Sequence, residues 1–109
     1  MDEQLIHQKI GQILYESGPV EAQTIIVRAE LFAEGDGGRY EFDYICNTGE
    51  VNWFDPDARA IGNLTDTLLE LREFHIDNGL CPATSPWSRC TIELNLFNMK
   101  LTVNMSYVP

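Results

Sequence analysis

The chain has 109 residues, 44% of them hydrophobic, which suffices for one compact core without metal or disulfide staples and leaves no room for a second domain. Seven Lys and Arg against 17 Asp and Glu give a formal charge of −10, a balance that disfavours nucleic-acid phosphates and anionic membrane surfaces and favours a basic protein partner. Three cysteines without a CxxC pair, a Met1-Asp2-Glu3 start unlike a signal peptide, and no run approaching the ~18 apolar residues of a membrane span indicate a cytoplasmic chain with reduced thiols.

From Asp2 to about Glu16, Ile6, Ile10, Ile13 and Leu14 recur at offsets of three and four, with Leu5 at the edge, and so form one apolar helical face. Asp2 suits the N-cap or the positive end of the helix dipole. Ser17-Gly18-Pro19 ends the helix, because Gly accepts a left-handed terminal turn and Pro cannot extend it. From Ala22 the period changes to two, with Ile25, Val27, Ala29 and Leu31 alternating with Thr24, Ile26, Arg28 and Glu30. Glu34-Gly35-Asp36-Gly37-Gly38 makes a turn. Tyr40, Phe42, Tyr44 and Cys46 then alternate with Arg39, Glu41, Asp43 and Ile45 to complete a β-hairpin. Asn47-Thr48-Gly49 turns the chain into a short third strand, with Val51 and Trp53 expected on its apolar side.

Asp55 as cap and Pro56 at the first position open a second helix that runs to Asp77. Ile61, Leu64, Leu68, Leu71 and His75 line one of its faces, and Gly62-Asn63 is a weak point where it can divide in two. Asn78-Gly79 stops it, and Leu80 to Pro86, with two prolines, is a loop. Cys90, Ile92, Leu94 and Leu96, then Met99, Leu101, Val103, Met105 and Tyr107, form a closing hairpin around Phe97-Asn98. The order is α-β-β-β-α-β-β. Residues 1–109 are therefore expected to form a single α+β domain, one antiparallel sheet of about five strands with two helices on one face.

Catalytic chemistry finds few components here. His75 falls in the apolar stripe as a packed residue and His7 lies at the surface; no HxxxH, HExxH or His-Cys spacing supports zinc. Cys46 and Cys90 fall on apolar sides of strands, where thiols are inert, while Cys81 is placed in a loop open to solvent. Gly35, Gly37 and Gly38 lack the Lys and Ser/Thr of a phosphate-binding loop, and Asp55-x-Asp57 is not continued into a calcium loop. No catalytic residue, metal ligand or cofactor is assigned.

The acidic residues concentrate in the hairpin turn (Glu34, Asp36) and at the strand-to-helix junction (Glu50, Asp55, Asp57). Their plain reading is a solvated face that keeps the chain soluble. Their functional reading is a surface for a basic partner, to which Phe54, opposite in sense to Trp53, adds apolar contact. Trp87, after two prolines, closes the end of the core or joins such a contact.

The run Gly38-Arg39-Tyr40-Glu41-Phe42-Asp43-Tyr44, the long helix, the Trp87-bearing loop and the hairpin ending in Val103-x-Met105-x-Tyr107 resemble YezG-like immunity proteins. These are small bacterial antitoxins of polymorphic and contact-dependent growth inhibition systems. The similarity covers most of the chain after about Ile10. It implies a cytoplasmic protein that binds a cognate toxin domain, often a nuclease, and blocks its active site or substrate groove. It carries over no binding residue, so the expected toxin-binding set, Glu34, Asp36, Glu50, Phe54, Asp55 and Asp57, rests on charge alone. A small acidic adaptor or chaperone for a secreted effector is the alternative, an enzyme the third choice. The oligomeric state is left open.

Overall fold

The computed structural model describes residues 3–32, 37–82 and 86–106. Its elements are α1 (Glu3–Ser17), β1 (Ala22–Leu31), β2 (Gly38–Cys46), β3 (Val51–Trp53), α2 (Ala58–Asp77), β4 (Arg89–Asn95) and β5 (Lys100–Ser106), an α+β fold in the expected order. The strands form one antiparallel sheet, β3-β2-β1-β4-β5. Both helices cover one face of it and run antiparallel to each other. Lys9 Nζ of α1 meets Glu70 of α2 at 3.2 Å, and Tyr40 of β2 shares a hydroxyl hydrogen bond with Thr65 of α2.

The core follows the two periods. Ile6, Ile10 and Leu14 of α1 and Leu64, Leu68 and Leu71 of α2 are buried against Ile25, Val27, Ala29 and Leu31 of β1 and Ile92 and Leu94 of β4. Each of the Ile, Leu and Val side chains contributes about 1.5–3 kcal/mol by leaving water. Gly18 hydrogen-bonds back to Leu14 and lies so close to Ile25 that a Cβ there would displace it. α2 continues unbroken through Gly62 and Asn63, because Leu64, Leu68 and Leu71 anchor it and tertiary packing outweighs a weak local propensity.

Three local expectations are corrected. The cap of α2 is Asp57, whose carboxylate accepts from Ala60 N at 2.8 Å; Asp55 and Pro56 precede it. Phe54 N donates to Phe42 O, so the chain remains extended past β3 and the helix cannot begin until later. Cys81 is buried, since Leu80 N and Cys81 N both donate to His75 O and fold the loop back over the helix end. The closing turn spans Leu96–Met99, with Asn95 and Asn98 side chains accepting from Phe97 N and Lys100 N. The Asp2 cap lies outside the described residues.

Trp87 is fully buried and donates its indole N–H to His75 Nδ1 at 3.0 Å. An accepting Nδ1 assigns the ring proton to Nε2, which donates to Glu3 Oε1 at 2.9 Å. This chain ties the start of α1, the end of α2 and the segment before β4 together. His75 is thus a satisfied core residue, as its place in the apolar stripe indicated.

Candidate functional site

The turn from β2 to β3 determines which side chains reach solvent at the sheet's edge. Cys46 N donates to Glu50 O, Gly49 N donates to Cys46 O, and Gly49 has φ 84°, a left-handed conformation that suits glycine. This closure places Val51 opposite Ile45, Asn52 opposite Tyr44 and Trp53 opposite Asp43. Because strand faces alternate residue by residue, Val51 and Trp53 inherit the polar, helix-free face of the sheet. Trp53 is 76% exposed, which corrects the expectation that it packs in the core.

Phe54, one residue on, turns to the helix side. It is half-buried and packs against Phe42 and Tyr44, with ring centroids 5.6 and 6.0 Å away. Its contribution to a partner contact is therefore indirect: it props the edge on which Trp53 stands.

Trp53 borders a hollow of about 330 Å³ that is also lined by Tyr40, Glu41, Phe42, Asp43, Phe54 and Asp55. Four of these residues are aromatic and three carry carboxylates. The hollow exists because β3 is only three residues long, so the outer edge of β2 runs beyond it without a strand neighbour. Arg28 of β1 lies directly across from Glu41, and its Nη1 donates to Asp43 Oδ2 at 2.6 Å and sits 3.7 Å from Glu41 Oε2. The two carboxylates raise the pKa of Arg28, chiefly through the hydrogen bond it donates to Asp43, so its guanidinium stays charged and orients them. Asp55 has no such cation beside it among the described residues.

Of the residues expected to contact a toxin, Glu50 and Asp55 are exposed on the segments flanking β3. Asp57 is exposed too, but its carboxylate is engaged in capping α2. Glu34 and Asp36 lie outside the described residues. The structure adds Glu41, Asp43 and Trp53, which the sequence treated as strand alternation.

No protein-family model matches the chain, and no curated protein matches it in sequence.

The remaining titratable groups do not converge with this site. Cys90 is buried on the helix side of β4 and its thiol is pushed up to about 12 by desolvation. Cys46, at the β2–β3 turn, receives a 3.0 Å contact from the Thr48 hydroxyl that lowers its thiol pKa, and it lies more open to solvent than the apolar alternation suggested. No group of three His, Cys, Asp or Glu among the described residues is arranged to hold a metal ion. No helix among them is long and apolar enough to cross a membrane.

Proposed function

We propose that the chain is a non-catalytic immunity protein that acts in the cytoplasm, binding a cognate toxin domain of basic, nuclease type and occluding its active-site groove. The observation that carries this reading is the exposed Trp53 indole set in a hollow beside Glu41, Asp43 and Asp55. A nuclease groove lines up Lys and Arg to receive phosphates. One such cation entering the hollow would meet carboxylates in place of phosphates and an indole face for a cation–π contact, worth about 0.5–1 kcal/mol when exposed and about 2 or more when desolvated. Glu50 and the −10 charge of the whole chain extend the attractive field around it and speed encounter. The resemblance to YezG-like proteins points to the same class of partner.

The experiment is co-expression with a nuclease toxin domain, sought first among the products of the genes adjacent to this one. The wild type should protect the host. A Trp53→Ala, Asp43→Asn, Asp55→Asn variant that still folds should not. Undiminished protection by that variant would remove the hollow from the mechanism.

A further inference from the structure

The two edges of the sheet differ in charge as sharply as in position. The β2–β3 edge carries Glu41, Asp43, Glu50 and Asp55, whereas β5, at the other edge, has Lys100 as its one charged residue. Between β5 and α1 runs a groove of about 410 Å³ lined by Gln4, His7, Gln8, Gly11, Gln12, Leu94, Met99 and Leu101, among which there is no Asp or Glu. In a chain of net charge −10 this is an acid-free, partly apolar strip. Met99 in this groove is 52% exposed, Met105 farther along β5 is 36% exposed, and Leu101 and Val103 are half-buried against the core.

The backbone of β5 is also ready to pair. Leu96 N donates to Gln23 O and Leu31 N donates to Ser88 O, so the even-numbered residues of β4 bond to β1. The alternation of an antiparallel ladder then directs Arg89, Thr91, Glu93 and Asn95 to their β5 partners Ser106, Asn104, Thr102 and Lys100. Leu101, Val103 and Met105 are left with their N–H and C=O groups pointing away from the sheet. Natural edges are usually guarded by charge, proline or a bulge; this one carries Lys100 alone, at its start.

We propose that β5 is a self-association surface, on which a second copy of this chain pairs its own β5 antiparallel about a two-fold axis at Val103. The strip is self-complementary, as a two-fold interface requires. Val103 faces its own counterpart, and Leu101 of each copy lies beside Met105 of the other, extending the apolar floor across both copies. A second copy is the occupant favoured by charge. Two chains of −10 repel over most of their surfaces and can meet only where carboxylates are missing, whereas a strongly basic partner gains nothing from this edge. The dimer leaves the acidic β2–β3 edges at its far ends, free for other contacts.

The test is sedimentation equilibrium of the full chain across concentration and salt, compared with Met105→Glu and Val103→Pro. Val103→Pro removes an outward N–H without breaking the β4–β5 ladder, a position where an edge strand tolerates proline. Met105→Glu places a carboxylate next to Leu101 of the other copy, and circular dichroism checks that both variants fold. A dimer is expected that tightens as salt rises, with each folded variant weakening it at least about tenfold. A wild type that stays monomeric throughout, or a dimer that a folded Met105→Glu chain forms equally well, overturns the proposal. Toxin binding has the opposite salt dependence, so failure of either idea is read separately.

Discussion

Asp43 and Trp53 face each other across the β2–β3 ladder, so a carboxylate and an exposed indole emerge side by side on the helix-free face of the sheet. Arg28 holds that carboxylate from the other side at 2.6 Å, and Phe54 packs beneath the edge. A mobile anion would lose conformational freedom on binding a cation; this one is already placed.

Trp53→Ala should therefore separate binding from stability. An aromatic anchor at an interface is worth about 2 kcal/mol or more, so partner affinity should fall about 30-fold or further. Stability should change by no more than about 0.5 kcal/mol, because the indole is mostly in water already. Calorimetric titration and a thermal melt of the same variant measure both quantities.

Trp87→Phe should behave in the opposite way. It leaves His75 Nδ1 buried without its donor, at a cost of about 1–3 kcal/mol. The site is remote in the fold from the β3 edge, so partner affinity should be unchanged. Denaturant unfolding together with a binding isotherm would reveal the contrast between the two tryptophans.

That contrast also marks where the sequence could be read and where it could not. The helices and strands were legible because a helix buries a stripe at offsets of three and four and this sheet buries one side at an offset of two; Ile6, Ile10, Leu14 and Ile25, Val27, Ala29 follow those rules directly. The face of Trp53 depends instead on how many residues separate Ile45 from Val51, and one residue more or less would turn the strand over. The carboxylates of the hollow come from β2 and from the segment after β3, so their convergence is a product of strand pairing and of β3's shortness. Glu50 and Asp55 were identified from local charge density, which does not report what a neighbouring strand brings beside them.

Asp43→Asn and Asp55→Asn should act mainly on the rate of encounter. Removing two charges from the steering field should slow association at low salt by several-fold and affect dissociation less. Stopped-flow or surface-based kinetics at two ionic strengths would check this, and an unchanged association rate would place the contact elsewhere.

The thiols should differ in reactivity as their surroundings do. Burial raises the Cys90 pKa to about 12, so almost none of it is thiolate near pH 8, whereas the hydrogen bond from Thr48 lowers that of the more open Cys46. Since the thiolate is the nucleophile, iodoacetamide should label Cys46 first in the folded chain and Cys90 only after unfolding. Peptide mass spectrometry over a labelling time course reads the order directly.

The central claim is that an acidic, aromatic hollow at the β2–β3 edge receives a cation from a basic toxin domain. Its most direct test is the dissociation constant for the toxin domain against which the chain protects, measured from low to physiological ionic strength for the wild type and for Trp53→Ala. Affinity that weakens steadily with salt and drops sharply in Trp53→Ala is the expected result. Affinity indifferent to salt, or retained in full without the indole, would contradict it.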